Sequence, residues 1–170
     1  MKHILKYILV LTIALTTFGC KVQYGFTGIS IGADIKTFQV NYFQNNAALI
    51  EPGLDRDFTL ALQDLILNQT SLSLVNSNAD LTYEGEIVEY RISPTTATAD
   101  NTAAQNRLTI SVQVRYYDKT KLDEDFNQRF SFFYDYDGDE QLTGSAKTTA
   151  HEEIFERLTQ DIVNATLAKW

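Results

Sequence analysis

His151 is the one imidazole left once a short N-terminal leader is set aside, because His3 lies within that leader. It stands near the start of a helical stretch with no Cys or second His at ligand spacing, whereas a zinc site needs three or four such ligands. A solvated helix position is the expected reading. No Ser or Cys is spaced to use it as a base, so no catalytic residue is assigned. Asp135, Asp137, Asp139 and Glu140 could make a calcium loop. An EF-hand needs Gly at the sixth position and Glu at the twelfth, but Gly138 is fourth here and Ala146 twelfth. An acidic turn fits better, and no metal ligand set or cofactor is expected. Asn68-Gln69-Thr70 and Asn164-Ala165-Thr166 match the glycosylation pattern but fall on or beside expected helices, and no glycine-rich phosphate loop follows a strand. Arg91, Arg107, Arg115 and Arg129 all fall on expected strands. On one face, their planar guanidinium groups could meet the phosphates of a lipid headgroup. The favoured reading makes them cross-strand partners of Asp and Glu on a solvated face. Phe133 breaks the inward parity of its aromatic neighbours, which makes it the candidate surface contact.

These residues need a scaffold, and the clearest part of it is Asn106-Arg-Leu-Thr-Ile-Ser-Val-Gln-Val-Arg-Tyr-Tyr117. Leu108, Ile110, Val112, Val114 and Tyr116 fall on one face; Thr109, Ser111, Gln113 and Arg115 fall on the other. Period-two alternation with β-branched residues marks a strand with one buried and one wet face. A first strand is expected over 35–43, a second over 72–75 and 81–92, and a fourth around Phe126 to Tyr134. A phase change near Ile87 suggests a β-bulge beside Gly85. Residues 93–105, rich in Thr, Ala and Asn around Pro94, read as a mobile loop, and 135–143 as an acidic one.

Two segments have helical period. Over 54–68, Leu54, Phe58, Ala61, Leu62, Leu65 and Ile66 form one stripe. Asp55 and Asp57 in its first turn suit the helix dipole. Over 145–168 the stripe is Ala150, Ile154, Phe155, Leu158, Ile162, Ala165 and Leu167, with Glu152, Glu153 and Glu156 early and Lys169 at the end. The order β-α-β-β-β-α predicts an α+β two-layer sandwich. Both helices pack on one face of a mixed four-stranded sheet, the first two strands parallel and the rest an antiparallel meander. With 44% hydrophobic residues over 170 positions, one domain can bury a real core.

The first eighteen residues carry Lys2, His3 and Lys6 and then an apolar run that is too short to span a bilayer. That is the build of a secretory signal peptide over residues 1–19. It ends Thr17-Phe18-Gly19-Cys20, which resembles a bacterial lipobox, with Thr17 where Leu is usual. Cys20, the only cysteine, is then the expected lipid attachment site; the alternative is a plain secretory peptide with an incidental thiol. Residues 20–34 become a lipidated N-terminal segment and 35–170 the domain. In lipoproteins of the Bacteroidetes type an acidic cluster after the Cys resembles a surface-export tag; none follows Cys20, and that resemblance implies the periplasmic side of the outer membrane. The full chain carries −8; losing Lys2 and Lys6 leaves 12 basic residues against 22 acidic, a net −10. Nucleic-acid affinity depends on neutralising phosphates with Lys and Arg, so no nucleic-acid partner is expected.

Several segments together carry a family resemblance. Cys20 with Tyr24-Gly25-Phe26-Thr27-Gly28, then Ile35-Lys36-Thr37-Phe38 and Phe43-Gln44-Asn45-Asn46-Ala47, resemble the start of the LptE-type lipopolysaccharide-assembly lipoproteins, in their Bacteroidetes branch. Asp80-Leu81-Thr82-Tyr83-Glu84-Gly85-Glu86-Ile87, residues 105–116, Asp161-Ile162-Val163-Asn164 and Trp170 continue the match. The resemblance implies a non-catalytic outer-membrane lipoprotein that plugs and helps assemble the β-barrel of the lipopolysaccharide translocon. Its partners would be that barrel, the membrane through the lipid on Cys20, and lipopolysaccharide as a further candidate. No ligand-contacting residue carries over from the family. A free-standing periplasmic lipid- or ligand-binding lipoprotein, with a groove between helices and sheet, is the alternative, and an envelope enzyme the third.

Overall fold

The computed structural model describes residues 31–97 and 103–168; the leader, Cys20, Lys169 and Trp170 lie outside them. The elements run β1 (Thr37–Val40), β2 (Gln44–Asn45), α1 (Leu54–Gln69), β3 (Ser73–Leu74), β4 (Leu81–Ala97), β5 (Ala103–Asp118), β6 (Phe126–Asp137) and α2 (Gly144–Leu167). A short 3-10 turn, Leu122–Glu124, joins β5 to β6. The sheet order is β3-β1-β4-β5-β6, with β2 following β1 along the same edge of β4. Strands β1 and β2 run parallel to β4, β3 parallel to β1, and β4-β5-β6 form an antiparallel meander. The α+β two-layer architecture and mixed sheet are those expected.

The sheet has six strands where the sequence suggested four. The first expected strand breaks after Val40 because Phe43 leaves the ladder. Its N–H donates to Thr59 Oγ1 on α1 at 3.1 Å, and its ring is fully buried. Residues 73–74 form their own short strand because Asn76-Ser77-Asn78 turns the chain, with Asn78 at φ 58. Asn tolerates that left-handed conformation better than most residues.

The β4–β5 hairpin is the spine. Its register slips between Ile87 and Glu89, leaving Val88 as the extra residue of the expected bulge. Pairing then continues through Ser93↔Arg107 and Pro94↔Asn106 to Ala97↔Ala103. Most of the expected 93–105 loop is therefore strand, with irregular register where Pro94 can donate no hydrogen bond. Asp135 and Asp137 likewise belong to β6 and not to a loop. Gly85 pairs with Val114, and a Cβ there would lie 2.0 Å from Gln113 O and 2.7 Å from the Phe43 ring. Glycine is required by this close approach.

Leu108, Ile110, Val112, Val114 and Tyr116 point inward and are at most 1% exposed. They meet Leu54, Phe58, Leu62 and Ile66 of α1 and Ala150, Ile154, Leu158 and Ile162 of α2 in one core. Burying each such aliphatic or aromatic side chain stabilises the fold by about 1.5–3 kcal/mol. The second stripe also holds Thr159, Val163 and Thr166. Thr159 and Thr166 are accommodated because their hydroxyls donate to the carbonyls of Phe155 and Ile162. The glutamates of α2 begin two turns after Gly144, beyond the first turn where the helix dipole would favour them. The two helices run side by side in the same direction. Lys147 Nζ meets Glu51 Oε1 at 2.6 Å near both N-termini, and Gln69 donates to Gln160 Oε1 at 2.8 Å further along.

Candidate functional site

Strand alternation places everything not in the core of β5 on the outer face of the sheet. Register then chooses the neighbours. Arg115 lies opposite Glu84 and Asn127, Gln113 opposite Glu86 and Arg129, and Ser111 opposite Glu89 and Ser131. Thr109 lies opposite Arg91 and Phe133, and Arg107 opposite Ser93 and Asp135. The four arginines and Phe133 thus share one face.

Every one of those arginines holds a carboxylate. Arg107 grips Asp135 through two bonds of 2.7 Å, and Arg115 Nε lies 3.0 Å from Glu84 Oε1. Glu89 accepts from Arg91 at 2.8 Å and from Arg129 at 2.6 Å, while Ser111 donates to it at 2.8 Å. Ser111 is fully buried although it points outward, roofed by this network. The Arg107 guanidinium bond holds the Asp135 carboxyl below its usual range, and Arg91 and then Ser111 do the same for Glu89. Burial pushes Glu84 up, but bonds from Arg115, Asn41 and Tyr117 outweigh it and leave it lowered. A phosphate reaching these arginines would have to displace a carboxylate. The arrangement makes a firm polar surface on which every arginine has a carboxylate partner, with Phe133 43% exposed on it.

On the opposite side of the molecule a groove of about 570 Å³ runs between α1 and α2. Ala61, Leu65, Phe155 and Thr159 line its floor; Asp57, Asp64, Glu152 and Glu156 stand on its banks. Beneath it a chain of rings ties the layers together. Phe43 meets Phe58 at 5.1 Å, Phe58 meets Phe155 at 5.5 Å, Phe155 meets His151 at 5.9 Å and His151 meets Tyr90 at 5.7 Å.

His151 is not the solvated residue expected from sequence. It is half-buried, with Nε2 3.1 Å from the Tyr90 hydroxyl, because its turn of α2 packs on β4. Burial lowers its pKa from the ordinary 6.5 and raises Tyr90 to about 12. At neutral pH the imidazole is therefore uncharged and the phenol stays protonated. Among the described residues no group of three or more His, Cys, Asp or Glu is placed to hold a metal ion. No helix among them is long and apolar enough to cross a membrane.

Two polar anchors had no spacing signal. Asp80 accepts from the N–H groups of Lys36 and Thr37 at 2.9 Å and from the Thr37 hydroxyl at 2.8 Å, clamping the start of β1 to β4. Tyr83 hides its hydroxyl against Thr166 Oγ1 at 3.0 Å, linking β4 to α2.

A family model for lipopolysaccharide assembly, LptE, matches residues 35–166. No curated relative matches in sequence. Among solved structures, the chain resembles the hypothetical protein CT253 from Chlamydia trachomatis. The TM-score is 0.54 at 12% identity, covering 79% of this chain and 99% of that one. An uncharacterized lipoprotein B from Nitrosomonas europaea matches with a TM-score of 0.50 at 15% identity, covering 89% of each chain. Rare lipoprotein B from Shewanella oneidensis gives 0.48 at 15% identity, with 75% of this chain and 89% of that one covered. At these identities the first two relationships are of fold.

Proposed function

The chain belongs to the LptE lipopolysaccharide-assembly family, and from that premise we propose that it is a non-catalytic lipoprotein subunit of the outer-membrane lipopolysaccharide translocon. Residues 1–19 leave as a signal peptide, Cys20 receives the lipid, and residues 20–34 tether the domain to the periplasmic side of the outer membrane. The domain plugs the translocon β-barrel, supports its assembly and so supports delivery of lipopolysaccharide to the outer leaflet.

The observation that carries this reading is the outer face of the sheet. Three long strands present a polar surface whose four arginines are already engaged by Glu84, Asp135 and Glu89, the last shared by Arg91 and Arg129. Such a surface suits the polar, water-filled interior of a large barrel. It suits direct capture of lipid phosphates less well, so the structural role takes precedence over lipid handling. For the alternative, a groove between helices and sheet, that layer is occupied by fully buried side chains such as Phe58, Leu62, Leu158 and Ile162. Depleting the protein in its native host tests the proposal. The folded, heat-modifiable form of the translocon barrel should disappear while other barrels persist; an undiminished folded barrel would overturn it.

A further inference from the structure

The groove between α1 and α2 has the form and charge of a docking site, and it lies on the opposite side of the molecule from the outer face of the sheet. We infer that it receives a short, basic, amphipathic helix from a partner polypeptide. This interaction is separate from whatever the sheet face meets.

Three observations carry the inference. The first is shape. Groove residues recur at 57, 60–61, 64–65 and 68 on α1 and at 148, 151–152, 155–156 and 159 on α2. That is one bank from each of two parallel helices, about three turns or 16 Å long at about 1.5 Å per residue. A third helix laid into such a trough places apolar residues at helical spacing along it. The second is unpartnered apolar surface. Leu60 is 48% exposed at the lip, beside Ala61, Leu65 and Phe155.

The third is charge. The lining contains four carboxylates and neither Lys nor Arg. Asp57 is met by Arg56 at 2.9 Å. Asp64, Glu152 and Glu156 have no ion-pair partner among the described residues. This differs from the sheet face, where each arginine is matched. Unneutralised negative charge on both banks of an apolar trough is complementary to an apolar stripe flanked by Lys or Arg, and it disfavours acyl chains bearing phosphate.

The test uses the full chain in non-ionic detergent and a fluorescein-labelled peptide of about 14 residues, with Leu at helical spacing and Lys on both flanks. Two control peptides replace every Lys by Glu or every Leu by Ser. Fluorescence anisotropy should show saturable binding of the Lys/Leu peptide only. Binding should weaken at least about tenfold in the Asp64→Asn, Glu152→Gln, Glu156→Gln triple variant and in Leu60→Ser. Glu153→Gln makes the same charge change on the same helix away from the groove and should alter it less than about twofold. Partition of peptide into detergent is common to all variants and cancels. The substituted positions are exposed, and circular dichroism confirms the fold of each variant. Equal binding of the Ser-substituted peptide, retention by the triple variant, or no binding by the unsubstituted chain would each overturn the inference.

Discussion

The Arg107 guanidinium carbon lies 3.6 Å from the centroid of the Phe133 ring while its two nitrogens hold Asp135. One side chain thereby fixes an exposed aromatic on the polar face and neutralises the adjacent carboxylate. Cation–π contact and bidentate pairing both restrict the guanidinium, so the three residues form a preset corner of the surface. If this face meets the barrel, Phe133→Ser should leave the fold intact and lower recovery of the barrel in co-purification by about tenfold, as expected for an aromatic anchor. Arg107→Ala should act in the same direction, because it frees Asp135 and unseats the ring.

Gly85 leaves no room for a side chain. A methyl group there meets the backbone oxygen of Gln113 at 2.0 Å, and backbone cannot move as a flexible side chain could. Gly85→Ala should destabilise the fold by about 3 kcal/mol, seen as a lower denaturation midpoint in urea.

Tyr83 and Thr166 make a testable buried pair. Thr166→Val leaves the phenol hydroxyl without its partner and should cost about 1–3 kcal/mol. Tyr83→Phe should cost about 1 kcal/mol, because the Thr166 hydroxyl keeps its bond to the Ile162 carbonyl. The double variant should be more stable than the sum of the two losses implies, giving a coupling of about 1 kcal/mol in a double-mutant cycle.

Acid should act on His151 before it acts on Asp80. Burial depresses the His151 pKa below 6.5, with Glu51 and Asp57 opposing and Lys147 reinforcing the shift. The unfolded chain therefore binds the proton more readily, and stability is lost as pH falls from about 6.5 through the depressed folded value. The backbone N–H of Lys36, then the hydroxyl and N–H of Thr37, depress Asp80 below 3.8, so its contribution is lost only below that pH. Urea midpoints at pH 7 and pH 5 should show a smaller drop for His151→Gln than for the unsubstituted chain. An equal drop would show that His151 does not report on this packing.

Much of the architecture is legible in residue order, for identifiable reasons. Leu108 to Tyr116 alternate without interruption, so strand and inward face follow directly, and the two helical stripes give the second layer. The break at Phe43 is not legible, because it depends on Thr59, sixteen residues away on another element. Pro94 and its Thr and Ala neighbours suggest a loop, yet a sufficiently long hairpin pairs them. His151 looks solvated in a run with two glutamates and becomes half-buried only when Tyr90 and Phe155 close on it. Cross-strand pairing of the arginines with acidic residues is the favoured reading of the sequence, but which acid each one meets is not legible. Register joins Arg115 to Glu84, 31 residues earlier in the chain, and sequence spacing alone gives no sign of that partner. The acidic groove needs two helices set in parallel, which neither stripe shows by itself.

The most direct measurement is purification of the lipidated chain from detergent-solubilised outer membrane, with the mass of the eluting complex determined intact. Recovery with one large β-barrel protein in equal copy number is expected, along with loss of that partner in the Phe133→Ser variant. Recovery of the chain alone, as a monomer with no barrel, would contradict its assignment as a translocon subunit.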